Sequence, residues 1–407
     1  MSVIDSPAVA SPLAPPLPGA AGQSLHWRQP GAAALSLAAA HAASRHPGLT
    51  LLVTPDTQSA LRLEAELGFF AGPDLEILVF PDWETLPYDV FSPHQDIVSQ
   101  RLATLSRLPR AERGVLIVPV ATLLQRLAPR SYLDGHVLLL SVSERLDPTA
   151  FRRRLEAAGY THVSQVMEHG EFTVRGSIID LYPMGAELPY RIDLFDDEVE
   201  SIRTFDPESQ LSVDKVQSVE LLPAREFPLT KQAITRFRNA FRSRFSGDPQ
   251  RSHLYREISN GMVPGGAEYY LPLFFDSTET LFDYLPDNTL ALSLAGSDAA
   301  MDTFHGQLAE RYEQRRHDSE RPILTPAELF LDPAEATRRL DAYPRIRVWP
   351  EAHPDGVRFN TTTLPPVALH NRAGEPAADL KAFLDDFSGR VLIAAESAGR
   401  REMLLEM

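Results

Sequence analysis

The residues best placed to do chemistry are the acidic run that ends Arg191-Ile-Asp-Leu-Phe-Asp-Asp-Glu198. Asp193, Asp196, Asp197 and Glu198 are close enough in sequence to converge on a hard divalent cation, as a metal-dependent nuclease or a residual ATPase requires. The simpler reading is a strand followed by a solvated acidic turn, and nothing elsewhere supplies the basic groove a nuclease needs. A nucleotide site asks for more: glycine amides around the phosphates, and a Lys-Ser/Thr pair for the terminal phosphates and magnesium. Only three lysines occur, Lys215, Lys231 and Lys381, and none follows a glycine. The place for such a loop reads Gly31-Ala-Ala-Ala-Leu-Ser-Leu-Ala-Ala-Ala40, an alanine-rich helix. The twelve histidines include no His-Glu-x-x-His, and neither Gly-x-Ser-x-Gly nor Gly-x-Gly-x-x-Gly occurs. The expectation is therefore no catalytic residue, no metal and no cofactor.

Other residues point to binding. With a period of two, Tyr190, Ile192 and Leu194 form the core face of a strand, which leaves Arg191, Asp193 and Phe195 on its outer face. Arg175, in Gly170-Glu-Phe-Thr-Val-Arg-Gly176, belongs to a neighbouring strand. Arginine and aromatic residues together anchor protein interfaces. The pattern alone leaves open whether Phe195 meets a partner or lies beneath another domain. A second aromatic group, Trp83, Tyr88 and Phe91, sits in the loop Phe80-Pro-Asp-Trp-Glu-Thr-Leu-Pro-Tyr-Asp-Val-Phe-Ser-Pro-His-Gln-Asp-Ile97. It could stack bases, but Asp82, Glu84 and Asp89 repel phosphate, so a packed inter-domain loop is favoured.

Secondary structure must position these groups. The apolar runs Leu49–Val53, Glu76–Phe80, Gly114–Val118 and His136–Leu140 alternate with helical patterns at Thr57–Leu67 and Gln95–Leu108. Strands apolar on both faces with helical crossovers indicate a parallel α/β sheet. After a helix at Pro148–Ala158, short strands with turns at Met184-Gly185 and Asp196-Asp197 indicate a small mixed α+β insertion. Helices dominate from Glu226 to Val348, and Thr289–Leu294 reads as a strand returning to the first sheet. Near the end, Leu380–Phe387, Arg390–Ala394 and Ser397–Met407 restart a helix-strand-helix pattern. The expected partition is a disordered leader (1–23), a parallel-sheet domain in two pieces (24–140 and 223–350), the insertion (141–222), a linker (351–378) and the cut-short start of another α/β domain (379–407). The chain thus reads as a fragment of a longer protein.

Composition narrows the function classes. A length of 407 residues suits two to four domains. The absence of cysteine rules out disulfides and thiolate chemistry and suits a reducing, cytoplasmic setting. No run of ~18 apolar residues is present, so no membrane partner is expected. The Pro/Ala/Ser-rich Met1–Gly22 lacks the basic and apolar regions of a signal peptide. A net charge of -16 argues against the whole chain gripping DNA, although a local basic patch is compatible with it.

Phe80-Pro-Asp-Trp-Glu-Thr-Leu-Pro-Tyr-Asp89 with Phe91-Ser-Pro-His-Gln-Asp96 resembles the signature of the bacterial transcription–repair coupling factors (Mfd). So do Val166-Met-Glu-His-Gly-Glu171, Arg175-Gly-Ser-Ile-Ile-Asp-Leu-Tyr-Pro-Met-Gly185 and Leu188-Pro-Tyr-Arg-Ile-Asp-Leu-Phe-Asp-Asp-Glu198. The likeness runs from Leu49 to Phe274, more weakly to Pro350, and again from Phe387 to Glu402. The N-terminal part of that family is similar to the excision-repair protein UvrB. It implies a degenerate helicase-type α/β domain without a P-loop, in two sequence pieces, with a small UvrA-binding domain between them. It further implies that Arg175, Arg191 and Phe195 contact UvrA in a non-catalytic adaptor. The damage-probing hairpin of UvrB is missing, since only Val90 to Gln95 separate loop from helix. RNA polymerase and DNA are implied as partners only of modules beyond Met407, and the chain is expected to be a monomer.

Overall fold

Runs that are apolar on both sides become the inner strands of a parallel sheet. A computed structural model describes residues 9–406, apart from 74, 351–352, 354–355, 363–364, 366, 368–374 and 376. Its first strands are β1 (Val9–Ala10), β2 (Ser24–Arg28), β3 (Leu49–Thr54), β4 (Ile77–Val79) and β5 (Gly114–Pro119). Every residue of β3 and β5 is buried. Alternate side chains feed two cores. Leu51, Val53, Leu116 and Val118 enter the larger one. Leu52, Val115 and Ile117 enter a smaller one, closed by Ala38, Ala39 and Ala42 of the helix Ala32–Arg45 and Leu63 and Leu67 of the helix Thr57–Phe70. The short alanine side chains let that helix lie close to the sheet.

A short strand, β6 (Arg126–Leu127), precedes the insertion, which begins with β7 (Leu138–Ser141). It continues as β8 (Thr161–His162), β9 (Glu171–Arg175), β10 (Ile178–Leu181), β11 (Tyr190–Phe195), β12 (Glu198–Phe205) and β13 (Ser212–Val216), and leaves through β14 (Ser218–Leu221). Strands β13-β12-β11-β10-β9-β8 form one sheet in that order, antiparallel except where β8 meets β9. β7 and β14 pair only with each other, from Leu138 opposite Leu221 to Ser141 opposite Ser218, so entrance and exit form one ribbon. This corrects the expectation that His136–Leu140 joins the parallel sheet. Leu139 is exposed, and a strand with a wet face cannot be an inner strand between helical layers.

The chain returns through β15 (Glu279–Thr280), which pairs with β6, then β16 (Leu290–Ser293), β17 (Arg345–Trp349) and β18 (Gly356–Phe359). The large sheet then reads β1-β18-β2-β17-β16-β3-β5-β4, parallel at every pairing. Thr289–Leu294 does supply a returning strand, next to β3. Two expectations need correction. Within the leader assigned to 1–23, Val9–Ala10 pairs with Arg358–Phe359; residues 1–8 lie outside the described residues. Within the linker assigned to 351–378, β18 is a sheet strand, and several other residues of that range lie outside the described ones.

Residues up to Phe359 form one compact unit and those from Asn360 a second. The second contains the helices Ala378–Asp386 and Ala398–Glu406. Arg390–Ala394, expected as a strand, has no strand pairing, and Leu392 is almost wholly exposed.

Candidate protein-docking face

Cross-strand register sets a charged row on one side of the inserted sheet. Thr173, Asp180, Arg191, Arg203 and Lys215 stand opposite one another from β9 to β13, and residues directly opposite project to the same side. The other side holds the buried Ile179, Ile192 and Ile202. A parallel row carries Arg175, Ile178, Asp193 and Ser201. Phe195 lies two residues beyond Asp193 and is 74% exposed, so no other part of the described chain covers it.

One buried carboxylate organises this face. Asp180, 1% exposed, accepts from Arg191 Nε at 2.7 Å and Nη2 at 3.0 Å, and from Arg175 Nη2 at 2.5 Å. The first of these bonds raises the Arg191 pKa. Arg191 also donates to the Gln210 carbonyl at 3.2 Å and lies 4.8 Å above the Phe205 ring, which packs in a small outer cluster with Val166 and Tyr182. Arg191 is thus an internal brace more than a free cation. Arg203 Nη2 binds Asp193 Oδ2 at 2.6 Å, and Ser201 Oγ donates to the same oxygen at 2.8 Å. Across the two rows four cations (Arg175, Arg191, Arg203, Lys215) meet two carboxylates (Asp180, Asp193), and with Glu198, which stands opposite Phe195, the excess is about +1.

The acidic run does not come together as a metal site. Asp193 is bound to Arg203 and Ser201. Asp196 occupies the left-handed turn between β11 and β12 with φ 60°, and Asp197 lies 3.7 Å from Arg145. Among the described residues no group of three or more metal-ligating side chains is gathered anywhere. At the nucleotide position of the large sheet, β2 passes into the helix Ala32–Arg45 through only Gln29-Pro30-Gly31. There Ser36 Oγ donates to the Glu66 carboxylate. Glu66 also faces the adjoining cavity of about 460 Å³, where Arg62 is the basic lining residue. A carboxylate in that place disfavours phosphate.

Residues 138–227 match the family described as "UvrB interaction domain", and residues 383–407 match "MFD, D3 domain". Over 384 residues, 93% of the chain, the sequence is 44% identical to the transcription-repair-coupling factor of Haemophilus influenzae. Over 96% of the chain it is 43% identical to that of Escherichia coli, and over 54% it is 30% identical to that of Bacillus subtilis. It is a relative of the transcription-repair-coupling factors. The chain spans 33% and 34% of the length of the first two.

In this coupling-factor relative the aromatic loop is packed, as the sequence favoured. Trp83 meets the Tyr269 ring edge-on at 5.4 Å, and Tyr88 lies 6.0 Å from both Tyr269 and Tyr312. Three arginines bind consecutive loop carbonyls: Arg311 at Pro87, Arg315 at Tyr88 and Arg321 at Asp89, at 2.8, 2.8 and 3.0 Å. Beneath the loop, Arg101 is fully buried and donates to Glu226 at 2.5 Å, Gln125 at 2.8 Å and the Pro81 carbonyl at 2.8 Å. Its guanidinium also lies over the rings of Phe80 and Trp83. Trp83 Nε1 donates to the other Glu226 oxygen at 3.2 Å. Phe91, unlike Trp83 and Tyr88, is exposed.

The sequence pattern did not point to Asp180, Arg203 and Lys215 on this candidate face. Asp180 did leave a signal, as the acid between Ile179 and Leu181 in an apolar strand. Arg203 did not, because β12 is irregular opposite Asp193/Leu194 and again near Arg203/Phe205, so alternation loses its register there.

Proposed function

We propose that the outer face of the inserted sheet docks the excision-repair protein UvrA, so that this region acts as a non-catalytic adaptor bringing repair to stalled transcription. The observation that carries the reading is Phe195, an uncovered aromatic ring at the end of rows with excess positive charge. Burying such a ring against a partner and pairing Arg175, Arg203 and Lys215 with its carboxylates supplies both affinity and orientation. Arg191 acts mainly by holding Asp180 and the sheet beneath the contact. The match to a UvrB interaction domain and the names of the relatives support the assignment. In this reading the chain uses no nucleotide or metal cofactor, and it works in the cytoplasm as a monomer. RNA polymerase engagement and ATP-driven movement belong to parts of the longer relatives outside this chain.

The test is titration of UvrA against the wild-type chain, Phe195→Ala and Phe69→Ala. Phe69 is an equally exposed ring on the helix Thr57–Phe70, away from the inserted sheet. At least a tenfold loss confined to Phe195→Ala is expected, equivalent to about 1.4 kcal/mol. Equal binding by both variants overturns the assignment. Saturable binding of a fluorescent ATP analogue overturns the no-nucleotide reading.

A further inference from the structure

One stretch runs against the charge of the rest. Residues 231–259 carry seven basic side chains (Lys231, Arg236, Arg238, Arg242, Arg244, Arg251, Arg256) and two acidic ones (Asp248, Glu257), in a chain of net charge -16. The helix Lys231–Arg244 sorts these charges by position. Thr230 caps its start, and its buried stripe is Ala233, Phe237 and Phe241. At 3.6 residues per turn, Lys231, Thr235, Arg238 and Arg242 fall within an arc of about 60° on the far side, with Asn239 beside them.

Ion pairing follows the same division. Arg236, beside the buried stripe, and Arg244, beyond its C-terminal end, are neutralised, by Asp276 at 2.9 Å and Glu328 at 2.5 Å. Lys231, Arg238 and Arg242 have no carboxylate partner among the described residues, and neither do Arg251 and Arg256. The Arg242 guanidinium lies 5.7 Å from the centre of the Tyr255 ring, which ties the end of the stripe to the helix His253–Ser259 and its exposed Arg256.

We propose that this stripe binds the phosphate backbone of duplex DNA without reading its sequence. From Lys231 to Arg242 it is about 16 Å long, the axial length of about five base pairs. Thr235 and Asn239 add the short polar side chains that commonly contact phosphate oxygens. A protein interface would present a central aromatic anchor, and a single strand would need rings on which to stack. Phe237, Phe241 and Tyr255 all point inward. The overall negative charge does not forbid the contact, because charges farther away than about 10 Å are largely screened at 0.1 M salt. This inference is independent of the UvrA assignment, which concerns a different surface.

The test measures anisotropy of a fluorescent mixed-sequence duplex of about two helical turns with the chain as described. Three phosphate contacts give a salt slope of about -2.7, so raising salt from about 50 to about 200 mM should weaken binding about 40-fold. Arg238→Gln should reduce the slope by about 0.9. The triple variant Lys231→Glu, Arg238→Glu, Arg242→Glu breaks no ion pair and should lose at least tenfold, with circular dichroism at the assay temperature showing that it stays folded without the Arg242–Tyr255 contact. Absence of saturable binding at the lower salt, or equal binding by the triple variant, overturns the proposal. Displacement of the duplex by poly-glutamate at equal charge would also overturn it, in favour of an acidic protein partner.

Discussion

Arg191→Glu tests whether the docking face is built on the Asp180 node. The substitution removes two bonds to Asp180, at 2.7 and 3.0 Å, and sets a second carboxylate against one that is 1% exposed. Breaking one side of a buried ion pair costs about 3–5 kcal/mol. Arg175 stays bound to Asp180 at 2.5 Å, so the lower end, about 3 kcal/mol, is expected. Unfolding entropy of about 2.1 cal/mol/K per residue converts this to a melting shift. If the unit up to Phe359 melts as one body, the shift is about 4 °C; if the inserted segment melts alone, it is about 17 °C. Thermal denaturation followed by circular dichroism separates the two. Phe195→Ala, at an exposed site, should stay within about 0.5 kcal/mol of wild type. Loss of UvrA binding in Arg191→Glu therefore reports folding as well as contact, whereas the same loss in Phe195→Ala reports contact. An Arg191→Glu chain that melts within about 1 °C of wild type would refute the node argument.

Two further outcomes follow from the buried charges under the aromatic loop. Arg101→Met leaves Glu226 buried without its partner and should lose about 3–5 kcal/mol in urea unfolding, while the pair Arg101→Met, Glu226→Leu should recover only part of it, since Gln125, the Pro81 carbonyl and Trp83 Nε1 stay unpaired; a double variant no better than the single refutes the pairing argument. Burial pushes the Glu268 carboxyl, which accepts from Ser92 Oγ at 2.8 Å, up from 4.5 to about 7. The folded state then keeps a proton that the unfolded chain releases, so stability falls as pH rises from about 4.5 to about 7. Glu268→Gln keeps an acceptor for Ser92 and removes the titration, so its melting temperature relative to wild type should climb between about pH 5 and pH 8; a constant difference contradicts the assignment.

What could be read in the sequence, and what could not, follows from the range of each interaction. Leu49–Val53 and Gly114–Val118 announce inner strands because burial on both faces leaves no alternation, a local signal. The outward placement of Arg191, Asp193 and Phe195 was legible because β11 keeps its period of two throughout. Its internal use was not: Asp180 is eleven residues away, and a pattern cannot say whether an arginine faces solvent or a buried acid. Gly356–Phe359 escaped because a short strand is defined by the strands it pairs with, and its neighbours β1 and β2 lie more than three hundred residues earlier. The Arg101–Glu226 pair spans 125 residues and leaves no local trace.

That pair also explains what became of a motor-like scaffold. Glu226 follows directly on the segment by which the chain leaves the insertion, and Arg101 and Trp83 both bind it. The aromatic loop, the helix Gln95–Arg107 and the insertion's exit therefore share one buried node. Arg311, Arg315 and Arg321 pin the same loop from the other side through its backbone carbonyls. In a nucleotide-driven machine this region must move between states, which calls for loosely held loops and a ligand that binds the states differently. Here Glu66 lines the cavity beside Gln29-Pro30-Gly31, and the aromatic loop is held by contacts made within the fold. The insertion's exit is thus tied through Glu226 to the aromatic loop, and through that loop to Arg311, Arg315 and Arg321. A docking face on an insertion tied in this way spends little partner-binding energy on ordering itself.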